Sequence, residues 1–338
     1  MSVENHQFSI DWAYAYGKPS IEGLFRRHPE DFCVDENLGF DLTGSGEHVY
    51  LHIEKRGDNT AWLARQIARL ADVQPMDVGY AGLKDRHGIT RQWFSVYFPK
   101  GEEPQWSELN SETVTLLTIT RHNKKLRRGA HANNKFRIRL HQLSGDIESL
   151  QQRLSSVAAQ GVPNYFGEQR FGHDGNNLQE AQRLLVDGGK IKNRQKRGLI
   201  LSAARSYLFN SVLSARVHGD TWKTLLEGEP SLEATQNNEG TSLPNGPLWG
   251  RGRPLSAGEC LSLETQILSP LESWRDGLEH VGLSQERRLL SLLPEDFCSN
   301  IEQGRLEVSF SLPPGTYATA VLRELLVLKD VSLQQDMV

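Results

Sequence analysis

The residues with the most chemical content lie in one stretch, VGYAGLKDRHGITRQWF (78–94). Val78 to Ala81 reads as the end of a short strand, and Gly82 permits a tight backbone path. Asp85 then falls in a polar loop before the next β-rich run, flanked by Lys84 and Arg86. Loops carried on a rigid sheet are where catalytic groups concentrate. Cationic neighbours favour the anionic form of a carboxylate, the form that acts as a nucleophile or base. From residue types alone, a solvated turn aspartate fits the same stretch.

Two further segments have side chains suited to a nucleobase. Asn133-Asn134-Lys135-Phe136 sets an aromatic at the mouth of a basic strand. Stacking there would be worth about 1–3 kcal/mol per base. Phe136 also continues the Ile138/Leu140 face, as a first core residue of its strand would. The second segment, NYFGEQRFG (164–172), combines aromatics, glycines, amides and Arg170. Those types suit RNA bases and backbone, and equally a structured loop whose aromatics pack inward.

Other chemistries lack their residues. The Gly-rich turn Gly44–His48 has neither the lysine nor the following Ser/Thr of a phosphate-binding loop. The eleven histidines show no metal-ligand spacing. There is no nucleophile elbow and no dinucleotide fingerprint. Cys33, Cys260 and Cys298 are odd in number and far apart, which indicates neither a zinc knuckle nor a disulfide framework. The reaction left open needs no metal, nucleotide or redox cofactor.

The elements that must position these residues are legible in outline. HVYLHIEK places Val49, Leu51 and Ile53 on one side of a strand. Asn59-Thr60 offers a helix N-cap, followed by Leu63, Ile67 and Leu70 at helical spacing. RQWFSVYF and VTLLTIT are β-rich. KFRIRL alternates, with Phe136, Ile138 and Leu140 facing one way and Lys135, Arg137 and Arg139 the other. The second half is more helical: DIESLQQRLSSVAAQG, NLQEAQRLLVDGG and LILSAARSYLFNSVLSARVHG each end in Gly. Residues 236–258, rich in Gly, Pro, Asn and Ser, read as a long surface loop. RLEVSFSL returns to strand, PPG turns, and TYATAVLRELLVL reads as a helix. A helical insertion inside a β-rich domain follows, with the N-terminal half and the last thirty residues or so sharing one sheet.

The 338 residues allow about two domains and a sizeable core. Hydrophobic residues are 38% of the chain and charged residues 24%, a globular composition on the polar side. No apolar run approaches a bilayer span and the N-terminus does not read as a secretory signal, so the cytoplasm is expected. Net charge is −4, which alone argues against a nucleic-acid binder, but binding depends on where the positive charges lie. Residues 121–139 carry eight Lys or Arg and no acid, and residues 190–205 carry six and no acid. Nothing resembles a coiled coil or repeat interface, so no protein partner is evident and a monomer is the default.

Taken in order, GLFRRHPEDFCVDE (23–36), GSGEHVYLHIEKRGDNT (44–60), AGLKDR (81–86), NKF (134–136), NYFGEQRFG (164–172), SAARSYLFN (202–210) and LPPGTYATAVLRE (312–324) resemble the TruD family of tRNA pseudouridine synthases. The matches span nearly the whole chain. The resemblance implies an α+β fold: a mixed, largely antiparallel pseudouridine-synthase sheet with helices, plus an inserted α/β family-specific domain, in a V-shaped two-domain molecule. Residues 1–159 and 309–338 would form the catalytic domain and 160–308 the insertion, with RNA in the cleft between them. It implies isomerisation of uridine to pseudouridine in tRNA without cofactor, at position 13 of the D-arm in bacterial members. It makes Asp85 the catalytic aspartate and Phe136 the aromatic that packs on the target base, with Asn134 in the same motif. Arg26 stands where the family has a basic residue, often Lys, to pair with Asp85. Lys84 and Arg170, within matching motifs, complete the expected substrate-binding set. Two other readings are a non-catalytic RNA-binding or RNA-folding protein on the same scaffold, and a glycoside-type hydrolase pairing Asp85 with Glu47.

Overall fold

A computed structural model describes residues 8–237 and 240–332. Fourteen strands and seven α-helices lie among them. In the first half these are β1 (Glu22–Phe25), β2 (Phe32–Asn37), β3 (His48–Arg56), α1 (Thr60–Leu70), β4 (Val78–Tyr80), β5 (Ile89–Tyr97), β6 (Val114–His122), β7 (Asn133–Ser144) and α2 (Ile147–Gln160). There follow β8 (Val162–Pro163), α3 (Asn176–Leu185), α4 (Arg194–His218), β9 (Asn245–Leu248), α5 (Gly258–Ile267), α6 (Glu272–Glu279), β10 (Glu286–Leu289), β11 (Ser291–Leu292), β12 (Glu295–Glu302), β13 (Arg305–Leu312), α7 (Ala318–Leu325) and β14 (Val327–Asp330). The chain divides into two compact units, one of residues 19–158, 294–318 and 325–338, the other of residues 1–18, 159–293 and 319–324.

The first unit is organised by a ten-stranded sheet with the main order β12-β13-β7-β2-β5-β3-β6. Only β2–β5 and β1–β14 pair in parallel among its described ladders, so the sheet is mixed and largely antiparallel. Strands from the C-terminal part of the chain join those of the N-terminal half, as the sequence suggests. β13 lies along β7, with Phe310 opposite Phe136, and β14 lies along β1.

β3 shows why the central strands read so clearly. Val49, Leu51 and Ile53 face α1 and pack with Leu63, Ile67, Phe94 and Val96. Tyr50 points to the opposite face, with Leu38, Ala81 and Leu126. Each fully buried large apolar side chain contributes about 1.5–3 kcal/mol. α1 starts where expected, because the Asn59 side chain accepts from the Ala61 N–H at 2.8 Å. Phe136, Ile138 and Leu140 are buried along β7, while Lys135 and Arg137 are exposed.

The second unit is built on α4, flanked by α3, α5 and α6, with two small ribbons, β9–β10 and β8–β11. α4 begins at Arg194, before the apolar run that announces it in sequence, because Asn193 caps it by accepting from the Lys196 N–H at 2.9 Å. Trp12, Tyr165, Phe171, Tyr207 and Trp274 form a continuous aromatic cluster in this unit.

Two expectations fail locally. Residues 236–258 are not simply a surface loop: Asn245 to Leu248 form β9, and Asn245, Gly246, Pro247 and Trp249 are buried. The glycine that signals a loop is here a packing residue. A Cβ on Gly246 would come within 2.9 Å of Leu290 and 3.0 Å of Phe209. The C-terminal helix also stops at Leu325, and Val327–Asp330 become a strand because β1 offers a free edge for parallel pairing.

Gly246→Ala is expected to destabilise the protein by about 1–3 kcal/mol through overpacking. Denaturant unfolding checks this; an unchanged midpoint would mean the β9 backbone relaxes freely away from α4.

Candidate active site

The loop between β4 and β5, residues 81–88, is held by buried groups from beneath. Thr60 Oγ1, at the start of α1, accepts from the Lys84 N–H at 3.0 Å and donates to Gln92 Oε1 at 2.9 Å. Gln92 Nε2 donates to the Gly82 carbonyl at 3.3 Å, and the Gly129 N–H donates to the Ala81 carbonyl at 2.7 Å. Lys55, fully buried on β3, donates from Nζ to the carbonyls of Asp58 at 2.7 Å and Asp85 at 3.2 Å. The Asp85 carboxylate itself accepts from the His87 N–H at 3.0 Å. Asp85 is thus fixed through both its backbone and its side chain, yet its side chain keeps 17% of its surface open.

Opposite it stands Arg26, directly after β1. Its guanidinium donates from Nη2 to Asp85 and from Nη1 to Asp330 at 3.2 Å, the latter at the end of β14. The planar fork satisfies two carboxylates at once, which a lysine at this position could do only as a point charge. The guanidinium carbon also lies 4.5 Å from the Phe25 ring centroid and 4.8 Å from that of Phe32. Such cation–π contacts are worth about 1–2 kcal/mol when desolvated. Arg26 has φ of +58°, a left-handed conformation that costs a non-glycine residue about 1–2 kcal/mol. The ion pairs and the aromatic cradle offset that strain.

Phe32 connects this cluster to β7. Its ring centroid is 6.0 Å from that of Phe136, which in turn lies 5.6 Å from Phe310. Phe136 is 7% exposed and packs as part of the core. Asn134, two residues earlier on β7, shares its face. The Asn134 amide Nδ2 lies 3.0 Å from His131 Nε2. The His131 ring reaches back to the catalytic-candidate loop, where its Cε1 is 3.9 Å from the position a Cβ would take on Gly82. Asp85 thus meets Arg26, Arg26 rests on Phe32, Phe32 adjoins Phe136, and Asn134, on the face of Phe136, meets His131.

The remaining sequence candidates divide. Lys84 is beside Asp85, but its ammonium is engaged by the buried Glu36, whose other oxygen accepts from the Trp93 N–H at 3.1 Å. Arg170 belongs to the other unit, where its Nη1 donates to Ser202 Oγ at 3.2 Å. The aromatics around it pack inward: Tyr165, Phe166 and Phe171 are all buried. Glu47 precedes β3, whereas Asp85 is tied to Lys55 near the opposite end of that strand. Eight strand residues span about 26 Å, far beyond the roughly 5–10 Å between paired glycosidase carboxylates. In the basic segments, Lys124, Arg127, Lys192, Arg194 and Lys196 are exposed. Arg205 instead donates to the Leu248 and Ser284 carbonyls at 2.7 and 2.8 Å, as a structural residue. Sequence reading missed Lys55, Asp330 and His131. Only Lys55 carried a signal, a charge alternating into the buried face of β3.

Known proteins match the chain over nearly its full length. The family model for tRNA pseudouridine synthase D (TruD) matches residues 11–189 and 177–325. The chain belongs to the TruD family. It is 52% identical over 332 residues to the tRNA pseudouridine synthase D of Cellvibrio japonicus, covering 97% of this chain and 96% of the relative. It is 48% identical over 332 residues to that of Methylococcus capsulatus, covering 93% and 94%. In fold it is similar to the crystal structure of a Methanosarcina mazei protein bearing the TruD name, with a TM-score of 0.66 at 18% identity, over 93% of this chain and 95% of that one. As a TruD-family tRNA pseudouridine synthase, it is an isomerase of α+β fold. No helix among the described residues is long and apolar enough to cross a membrane.

Burial pushes the Lys55 ammonium down to about 8, with Asp85 pulling it partly back. Between about pH 8 and 10.5 the unfolded chain retains a Lys55 proton that the folded chain has released. The contribution of this residue to stability therefore rises with pH across that interval. The stability of wild type relative to Lys55→Met is expected to increase from pH 8 to pH 10.5 by up to about 3 kcal/mol. Denaturant titrations of both proteins at the two pH values check this, and a constant difference would contradict it.

Proposed function

We propose that this TruD-family protein converts uridine to pseudouridine at position 13 in the D-arm of tRNA, with Asp85 as the catalytic carboxylate. The observation that carries the assignment is the Arg26–Asp85 pair, set in a braced loop beside the rings of Phe25 and Phe32. The reaction breaks the N1–C1′ bond, turns the uracil and rejoins it through C5, which then loses its proton. A base cannot turn inside a helix, so the nucleotide is first flipped out, at a cost of a few kcal/mol.

Each group has a part in that sequence. Phe136 offers its edge to the flipped base, and Asn134 offers an amide to the base's polar edge. Arg26 holds Asp85 through a charge-assisted hydrogen bond. Asp85 acts as a nucleophile on sugar or base, or as a base on the sugar. Lys84, locked to Glu36, supports the loop and keeps positive potential beside the substrate. The exposed cations of 121–139 and 190–197 supply phosphate contacts, and Arg170 lines the RNA path from the family-specific insertion. That insertion spans about 160–308 in sequence, between catalytic-domain segments 1–159 and 309–338. The enzyme works in the cytoplasm as a monomer.

With a tRNA transcript tritiated at uracil C5, wild type is expected to release tritium. Asp85→Asn should lower release on the order of 10³-fold or more, with tRNA affinity within a few fold. Turnover by the variant would sink the assignment of Asp85. Binding without release by wild type would favour a non-catalytic RNA-binding role. Reversing charge at Lys124 and Arg127 is expected to weaken binding and flatten the slope of log K against log salt by about 1–2; an unchanged slope would remove this patch from the interface.

A further inference from the structure

Two buried polar atoms beside the candidate site have no hydrogen-bond partner among the described residues: Asn134 Oδ1 and His131 Nδ1. Their residues face each other, with Asn134 Nδ2 and His131 Nε2 at 3.0 Å. An unpaired buried acceptor is costly, so the pair is arranged for something that arrives. Uracil has one donor, N3–H, between two carbonyl acceptors. An amide presenting Oδ1 meets that donor, and its second Nδ2–H can meet a neighbouring carbonyl. Cytosine places a lone pair at N3 and would oppose the same oxygen.

We infer that His131 is a positioning residue for base recognition: its Nε2 accepts from the Asn134 amide and so turns Asn134 Oδ1 toward the flipped uracil. This rests on the proposed reaction and deepens it. The reverse orientation of the amide would leave two N–H donors buried and would face N3–H with another donor. Only a neutral imidazole with its proton on Nδ1 can accept at Nε2. The surroundings hold it in that form. Burial lowers the affinity of the ring for a second proton and Lys84, from the loop, lowers it further, while Glu36, from β2, opposes them. Protonation would turn Nε2 into a donor aimed at Nδ2, driving the amide round and withdrawing the acceptor from uracil.

The experiment measures single-turnover tritium release and tRNA affinity from pH 5 to 8 for wild type, His131→Leu and His131→Gln. Leu fills the space without an acceptor, whereas the Gln side-chain oxygen can stand in for Nε2 and does not titrate. The expected result is a loss of about tenfold or more in rate for Leu at pH 7.5, with tRNA affinity unchanged within about twofold. Gln should recover most of the rate and lose the part of the acid limb that wild type shows. A wild-type rate in the Leu variant, or the same acid limb in Gln as in wild type, overturns the inference. So does equal slowing by Leu and Gln at every pH, the mark of a merely structural role. Should Leu not fold, Gln and its pH profile decide alone. Absence of release by wild type would instead overturn the proposed reaction, and the role of His131 with it.

Discussion

The contacts of the Arg26 guanidinium are the interaction on which the rest of the candidate site depends. Arg26 is mostly buried, stands in a strained backbone conformation, and touches the loop carboxylate Asp85, the C-terminal strand through Asp330, and the rings of Phe25 and Phe32. Truncating one partner of such a cluster would leave the others as uncompensated buried charge, which is far more costly than the net worth of the intact pair. The aromatic floor and the charged pair are therefore one construction. Phe32 is both the surface on which the cation rests and the neighbour of Phe136.

The loop shows a second economy. Its anchors come from the core-facing sides of β3 and β5 and from the first residue of α1. Lys55, Thr60 and Gln92 are buried, and each gives its polar end to the loop backbone or to the side chain that supports it. Such satisfied polar networks fix one geometry where purely apolar packing would tolerate several. Asp85 can remain partly open because the restraint is applied from below.

Much of the sheet is legible in the sequence. β3, β5 and β7 announce themselves because period-two alternation and β-branched residues report a half-buried strand. The place of Asp85 between two such runs fits a solvated turn aspartate as well, and it is the resemblance of AGLKDR to the family motif that singles it out; Phe136 has a dual position on a core face at the mouth of a basic strand. The unread parts share a physical cause: they depend on partners remote in sequence. Asp330 has no distinguishing context until β14 lies along β1. Asn245 and Gly246 look like loop residues until α4 approaches. The aromatics of 164–172 could serve RNA or the interior, and only the cluster with Trp12 and Tyr207 decides for the interior. Local pattern gives the element, but not the neighbour that gives it meaning.

The pairing of β1 with β14 sets a condition on biosynthesis. Residues 22–25 emerge from the ribosome early, yet their ladder partners are residues 327–330. Throughout most of translation, Arg26 has no Asp330 to share its charge, and the edge of β1 is unpaired. Contacts of this separation form late and slowly. A growing chain cannot complete the surroundings of Arg26 until nearly the whole described sequence has been made. A partly synthesised copy would hold Arg26 and the loop without the strand that clamps them, its guanidinium engaging one carboxylate in place of two.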